Sequence, residues 1–238
     1  MVVSEDAVPE GDESLSAAEV RVDTSFTPIY RFLRLLVHGL NRLLFRTTVS
    51  GADRIPEEGP VIIAPVHRSF IDFFVASEVT DRKLHYMAKD SLWNNRLLAA
   101  ILPAVGAFPV HREAADREAL RRAQRVLEAG EVLILFPEGE RRSGPVVADL
   151  HEGVAFLAAR TGATVIPVGI GGSASVMPKG KRIPRPQHIH LEVGEPLPPP
   201  TRTDAGRISR SRTHQLTEAL TESIQDLYDR SVGVTGRY

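Results

Sequence analysis

The stretch VIIAPVHRSFID, residues 61–72, contains the pattern that decides the fold. It begins with an uncharged apolar run at 61–65 and becomes polar at residue 67. Two later runs, residues 132–136 and 164–170, have the same continuous apolar character, which is typical of strands buried on both faces. Segments with helical spacing separate these runs. The sequence therefore predicts an α/β fold with a mostly parallel central sheet that is covered by helices on both faces.

Weaker segments continue the alternation of strand and helix. Further strands are expected at 84–88, 107–110 and 189–193, and the last of these alternates in the manner of an edge strand. Helices are expected at 70–79, 92–102, 117–129, 153–160 and 208–228.

His67 and Asp72 follow the first buried strand directly. In open α/β sheets, ligands bind in the crevice outside the carboxyl ends of the strands. On one continuous helix these two side chains would lie about 140° apart, so they meet only if His67 lies in the loop and Asp72 in the first helical turn. An aspartate on one imidazole nitrogen fixes the tautomer and stabilises the protonated ring, which makes a general base for a hydroxyl. The alternative is structural, because Ser69 and Asp72 also have the spacing of a capping box.

A second polar segment, FPEGERRS at residues 136–143, follows another buried strand. It places carboxylates and two guanidinium groups beside a Pro/Gly turn, and arginine binds phosphate through a bidentate fork. The segment GAFPVHR brings Arg112 to a further strand end, and Lys89 is another basic candidate. A solvated turn with a run of charges is the alternative interpretation of residues 136–143.

Taken in order, these segments resemble the motifs of the glycerolipid acyltransferase family, the PlsC-like lysophosphatidic acid acyltransferases. The first family motif, a His and an Asp separated by four residues, is matched by His67 and Asp72. The second, a glycine-to-arginine segment, is similar to residues 106–112. The third, which begins Phe-Pro-Glu-Gly, is similar to residues 136–141, and the fourth, an apolar strand with a central proline, to residues 165–168.

The resemblance implies transfer of a fatty acyl chain from acyl-CoA or an acyl carrier protein to a hydroxyl of 1-acylglycerol 3-phosphate, giving phosphatidic acid in phospholipid synthesis. It implies that His67 is the catalytic base with Asp72 as its partner, and that no metal and no cofactor beyond the acyl thioester co-substrate are needed. By the same resemblance, Arg141 would bind the acceptor phosphate and Glu138 would orient the acceptor hydroxyls. The implied substrate-binding set is Lys89, Arg112, Phe136, Glu138, Gly139 and Arg141.

Several positions depart from the family pattern and leave the acceptor head group open. Glu140 stands where the family has Thr, Arg142 is an additional arginine, and His151 replaces a common lysine. The alternatives within enzymes are an acyltransferase acting on glycerol 3-phosphate or on another lysophospholipid. In a different class, a non-catalytic lipid-binding module would keep the arginines but would not need the histidine and aspartate pair.

The first 47 residues differ in charge from the rest of the chain. Residues 1–24 hold seven acidic residues and one arginine, a composition typical of a disordered leader. Residues 25–47 hold four arginines and no acid, and their apolar residues follow helical spacing after Thr27 and Pro28. We expect an amphipathic helix there, either at a membrane interface or facing the core. The acyltransferase domain is expected over residues 48–238.

The composition excludes several classes of protein. The 238 residues include no cysteine, so a disulfide framework and a thiolate metal site are excluded. The net charge of −1 argues against a nucleic-acid partner. His188 and His190 share one strand face but lack a third ligand, so ordinary surface histidines are expected.

No apolar run reaches the length of a membrane-spanning helix. Together with the interfacial helix, this predicts a peripheral protein on the cytoplasmic face of the cell membrane.

Overall fold

The structure, a computed structural model, describes residues 27–111, 116–147, 150–177, 183–200 and 209–237. The expected acidic leader, residues 1–24, and Arg112 lie outside the described residues. Within these ranges the strands are β1 (Thr48–Ser50), β2 (Val61–Pro65), β3 (Leu84–Lys89), β4 (Ala107–Val110), β5 (Val132–Ile134), β6 (Thr164–Gly171) and β7 (His190–Val193). The α-helices are α1 (Pro28–Phe45), α2 (Asp72–Val75), α3 (Arg96–Ala104), α4 (Arg117–Glu128), α5 (Gly153–Thr161), α6 (Ser173–Val176) and α7 (Arg210–Thr235).

The strands form one sheet in the order β1-β7-β6-β2-β5-β3-β4. Neighbouring strands are parallel except β6 and β7, which are antiparallel, so the sheet is mostly parallel, as the sequence predicts. The prediction of an edge strand at 189–193 is wrong, because β7 lies between β6 and β1. The sequence did not reveal β1, since a strand of three residues is too short to show a periodic pattern.

The centre of the core is β2, whose five residues are all buried. Ile63 pairs with Ile134 of β5 on one side and with Ile166 of β6 on the other. Helix α5 packs against both α4 and α7, all three helices contact the sheet, and α1 packs on α2. Continuous apolar strands are therefore explained by coverage with helices, which removes both faces of the sheet from water.

Most predicted elements are present with shifted bounds. The helix expected at 70–79 is the single turn α2 followed by a 3₁₀ helix at Ala76–Val79. The helix expected at 92–102 begins later, because the Asn95 side chain accepts hydrogen bonds from the N–H groups of Leu97 and Leu98 and caps α3. The strand expected at 132–136 ends at Ile134, and the last helix extends to Thr235.

Helix α1 is part of the domain rather than a separate unit. It begins at Pro28 with Thr27 as its N-cap, whose hydroxyl accepts from the Tyr30 N–H at 3.1 Å. Tyr30 and Phe45 are buried in the domain, and the Tyr30 hydroxyl accepts a hydrogen bond from the Leu84 N–H. The boundary expected between residues 47 and 48 therefore does not separate two independent bodies.

The opposite side of α1 faces outward and is apolar. The large exposed side chains there are Ile29, Phe32, Leu35, Leu36, Leu40 and Leu43. The core-facing interpretation is confirmed for the side of the helix that carries Tyr30 and Phe45. The interfacial interpretation concerns the side with the exposed leucines and stays a prediction. Over the described ranges, no helix combines the length and the apolar character needed to cross a membrane.

Candidate active site

The carboxyl ends of three neighbouring strands bring the candidate residues together. His67 follows β2, the segment 136–141 follows β5, and Lys89 is the last residue of β3. The Leu135 N–H donates to the Ile63 carbonyl at 3.0 Å, so the chain beyond β5 stays beside the chain beyond β2. The crevice expected at this edge of the sheet is therefore present.

His67 and Asp72 are in direct contact. Oδ2 of Asp72 accepts from Nδ1 of His67 at 3.0 Å and from the backbone N–H groups of Arg68 and Ser69, both at 2.6 Å. The Asp72 side chain is fully buried, and it lies in the first turn of α2 while His67 lies in the loop. This is the arrangement that allows residues with this spacing to meet.

The capping box expected for Ser69 and Asp72 forms only in part. Asp72 accepts from the Ser69 N–H, as in a capping box. The Ser69 hydroxyl instead donates to the Met177 carbonyl at 3.4 Å. Asp72 thus orders the start of α2 and holds His67 at the same time.

The imidazole of His67 is held on its face as well as at its edge. The ring of Phe136 stacks on it, with centroids 4.1 Å apart and planes inclined by 26°. Because Nδ1 points to a carboxylate, it carries the ring proton, and Nε2 is left with the lone pair. His67 lines a cavity, so the structure presents a histidine whose Nε2 can accept a proton.

That cavity has a volume of about 520 Å³ and is mainly apolar. Its walls come from α1, from Phe70, Phe73 and Phe74, and from α3. Burial raises the pKa of Tyr86, which also lines the cavity and packs against Phe73, so the phenol stays neutral. The cavity suits a long apolar chain.

Two basic side chains mark the place where the cavity meets solvent. Lys89 and Arg141 both line the cavity, and both are exposed. Arg142, the additional arginine, is absent from the lining; its guanidinium lies 3.4 Å from the Glu140 carboxylate. Gly139 adopts φ +69°, and a Cβ there would lie 2.7 Å from the His151 ring, so the turn requires glycine.

Glu138 does not occupy the expected position for substrate contact. Its side chain is fully buried, Oε1 accepts from the His67 N–H at 2.8 Å, and Oε2 pairs with the Arg68 guanidinium. The role of orienting acceptor hydroxyls is therefore corrected, because both oxygens are engaged by the protein itself. Sequence reasoning missed Arg68; the available signal was a charged residue placed directly after a buried strand.

His188, which lies just before β7, and His190, the first residue of β7, both have hydrogen-bond partners. The Thr48 hydroxyl lies 2.9 Å from Nε2 of His188 and 2.8 Å from Nδ1 of His190. Burial and the nearby charges of His190 and Arg46 lower the pKa of His188. His190 is buried, so the expectation of two surface histidines is wrong for it. In the part of the chain that the structure describes, no three His, Asp or Glu side chains converge as metal ligands would.

Comparisons with known proteins show the family and the fold of this chain. Residues 46–171, which contain His67, Asp72, Lys89 and the segment 136–141, match the acyltransferase family. The 1-acyl-sn-glycerol-3-phosphate acyltransferase of Bacillus subtilis is 27% identical over 204 residues, which are 85% of this chain and 98% of that protein. The protein of the same name from Streptococcus pneumoniae is 28% identical over 178 residues, 71% of this chain and 62% of that protein.

A solved structure has the same fold. The crystal structure of the 1-acyl-sn-glycerophosphate acyltransferase PlsC from Thermotoga maritima matches with a TM-score of 0.66. The match covers 83% of this chain and 80% of that chain at 22% identity. The α/β architecture described above is therefore shared with that enzyme.

Proposed function

This chain belongs to the acyltransferase family, and from that premise we propose that it transfers a fatty acyl chain from an acyl thioester to the free hydroxyl of 1-acylglycerol 3-phosphate. The product is phosphatidic acid, and the reaction belongs to phospholipid synthesis. One observation carries the proposal. Nδ1 of His67 contacts the buried Asp72 carboxylate in the wall of an apolar cavity that Arg141 also lines.

The mechanism follows from the free nitrogen of His67. Nε2 takes the proton of the acceptor hydroxyl as that oxygen attacks the thioester carbonyl. Asp72 stabilises the imidazolium that forms, and general-base help of this kind supplies about 10²–10⁴-fold in rate. The tetrahedral intermediate then expels the thiolate, which takes the proton back from Nε2. Both products leave neutral at the reacting atoms, and the enzyme is regenerated without a covalent acyl intermediate.

The cations at the cavity rim support a phosphorylated acceptor. Arg141 binds the phosphate through its planar fork, with Lys89 as a second positive charge. Arg112, which lies outside the described residues, remains a candidate for the same role. The apolar cavity holds an acyl chain, and each buried CH₂ contributes about 0.8 kcal/mol.

The thioester is supplied by acyl-CoA or by an acyl carrier protein, and we propose that no other cofactor and no metal take part. The base and its carboxylate provide the proton transfers, and the cations at the cavity rim provide the charge contacts to the acceptor phosphate.

We further propose that α1 binds the cytoplasmic face of the cell membrane. A long-chain acceptor stays in the bilayer, so the enzyme must reach the interface. The outward leucines of α1 would enter the acyl boundary, and the exposed Arg42 and Arg46 would face lipid phosphates. Arg34 does not share this role, because its guanidinium is directed to the carbonyls of Thr80, Asp81 and Arg82.

The test of the function uses the purified full chain in detergent micelles. Labelled palmitoyl and oleoyl thioesters of CoA and of an acyl carrier protein are offered with a panel of acceptors. We expect the acylation of 1-acylglycerol 3-phosphate to exceed that of glycerol 3-phosphate and lysophosphatidylcholine. If glycerol 3-phosphate or lysophosphatidylcholine is acylated faster, that compound is the acceptor and the proposal is wrong on this point. Binding of lipid without turnover on any acceptor would favour the lipid-binding module.

A further inference from the structure

A buried ion pair lies directly behind the candidate base. The side chain of Arg68 is 1% exposed and that of Glu138 is fully buried, and they are in contact. Two charges are removed from water here, and such burial is tolerated only when further hydrogen bonds satisfy the remaining donors and acceptors. We call these two side chains the Arg68–Glu138 clamp.

The other donors of Arg68 are directed to the loop that follows β5. Nε donates to the Gly144 carbonyl at 3.1 Å, and Nη2 donates to the Val146 carbonyl at 3.0 Å. The guanidinium also lies 5.1 Å from the centre of the Tyr228 ring on α7. One arginine therefore connects the His67 loop, the loop at 136–147 and the last helix.

The clamp holds the backbone of His67 on both sides of the residue. The His67 N–H donates to Glu138 at 2.8 Å, and the His67 carbonyl accepts from Nη1 of Arg68 at 3.2 Å and from the Arg142 N–H at 3.0 Å. Arg142 follows Arg141, the candidate phosphate ligand. The partners that fix the base are thus in the same short loop as the residue that binds the acceptor.

We propose that Arg68 is a positioning residue, which acts through Glu138 to set the distance between the His67 imidazole and the Arg141 guanidinium. This inference rests on the proposed function and deepens it. When Arg141 holds the acceptor phosphate, the clamp brings the acceptor hydroxyl to Nε2 of His67. Two loops that are more than sixty residues apart in sequence then act as one rigid site.

The test is a double-mutant cycle between the clamp and Arg141. Arg68→Ala alone would leave a buried, unpaired carboxylate, so the clamp is removed with Arg68→Met combined with Glu138→Gln, which keeps an acceptor for the His67 N–H. A misplacement of about 1 Å costs on the order of 10²-fold, so we expect kcat/KM for 1-acylglycerol 3-phosphate to fall by roughly that factor. In an Arg141→Ala background the same change should cost only about 2- to 3-fold, because residues that act through one another are not additive.

Arg82→Met is the matched control. Arg82 also donates to three carbonyls, those of Pro56, Gly59 and Gly130, but it lies at the amino ends of β2, β3 and β5. The Arg82→Met change should lower the unfolding temperature. Its effect on kcat/KM should be the same in the wild-type background and in the Arg141→Ala background. If the clamp variant behaves like Arg82→Met, with equal losses in both backgrounds, the clamp has only a structural role and the inference is overturned.

A binding measurement separates failure of the clamp from failure of the function. Glycerol 3-phosphate raises the unfolding temperature if Arg141 binds its phosphate, and this needs no turnover. If the wild-type protein acylates none of the acceptors, the proposed function fails, and the clamp is judged by this shift. Loss of the shift in the clamp variant supports the inference, whereas an unchanged shift contradicts it. Arg68→Lys keeps the positive charge but lacks the planar fork. We expect this variant to fold and to show only part of the rise in unfolding temperature that glycerol 3-phosphate gives the wild-type protein.

Discussion

Asp72 determines the chemistry of His67 through one oxygen atom. The three donors on Oδ2 include two backbone N–H groups, so the loop itself orients the carboxylate. Oδ1 has no hydrogen-bond partner among the described residues. The imidazole then follows the carboxylate, and Phe136 fixes the plane of the ring. The tautomer and the ring orientation of the proposed base are thus set by residues within one loop and by one stacked aromatic side chain.

His67→Ala should lower turnover by about 10²–10⁴-fold, because it removes the general base. Asp72→Asn should have a similar effect through the wrong tautomer, while its remaining oxygen still accepts from the Arg68 and Ser69 N–H groups. Steady-state rates with 1-acylglycerol 3-phosphate and thermal unfolding of each variant measure this. Retention of a tenth of the wild-type rate by His67→Ala would contradict the role of base.

Arg141→Ala should raise the KM for the phosphorylated acceptor about 10- to 100-fold, the cost of a charge-assisted contact of roughly 1.5–3 kcal/mol. The KM for the acyl donor should change little. Arg142→Ala is the matched control, since its guanidinium does not line the cavity and its backbone N–H to His67 is kept. Equal changes in both KM values for Arg141→Ala would show that Arg141 does not bind the acceptor phosphate.

At the scale of elements, close contact between β6 and α7 supports the site. Gly169 lies against the backbone of Leu227 and Tyr228, and Gly171 lies against that of Ser231. A Cβ on either glycine would come within 2.3 Å of a backbone atom of α7. The Tyr228 ring on this helix lies over the Arg68 guanidinium, so the strand glycines contact the helix segment that packs behind the candidate site.

Gly171→Ala should destabilise the protein by about 1–3 kcal/mol or more, because the new methyl group overlaps the Ser231 carbonyl. Gly233→Ala on α7 is the control. A Cβ there meets nothing within 4 Å, so alanine should leave stability unchanged or raise it by up to about 1 kcal/mol. Denaturant unfolding measures both, and a Gly171→Ala variant as stable as wild type would show that the helix and strand can separate without cost.

At the scale of the whole molecule, the two sides of α1 have different surroundings. Tyr30, Leu33, Arg34 and Val37 line the cavity, while the leucines of the opposite side face outward. Deleting residues 1–46 would remove buried Tyr30 and Phe45, so we expect such a truncation to unfold or lose activity on every acceptor. Surface variants of α1 are therefore the informative test of membrane binding.

Leu36→Asp and Leu40→Asp should lower liposome binding and activity on bilayer-embedded acceptor. They should leave the unfolding temperature and activity on a short-chain soluble acceptor nearly unchanged, because both residues are more than two-fifths exposed. Arginines near an anionic surface contribute about 1 kcal/mol each, so wild-type binding should rise with anionic lipid and weaken with salt. Flotation assays measure this.

Phe156→Asp on α5 is the control for the α1 variants, since Phe156 is a comparably exposed apolar residue on a helix that packs with α4 and α7. If the two α1 variants stay folded and float with liposomes as wild type does, the membrane role of α1 is wrong.

The sequence by itself determined the α/β class, the central strands and the two strand ends that carry the site. Continuous apolar runs can be read without a structure, because they reflect burial on both faces of a sheet. The contact of His67 with Asp72 was also predictable, since only five positions separate them and the chain between them has few ways to turn. Residues this close in sequence have few possible relative positions, so their spacing predicts their contact.

Tertiary structure alone decided the positions and contacts of Glu138, Arg68 and the inner side of α1. Glu138 and Arg68 are separated by 70 positions and meet only because β2 and β5 are neighbours. Whether a carboxylate faces substrate or a buried guanidinium depends on that distant partner, so its own motif could not reveal it. The placement of β7 inside the sheet has the same cause, because a strand is an edge or not according to which segment pairs with it, and β1 comes from more than 130 residues earlier in the chain.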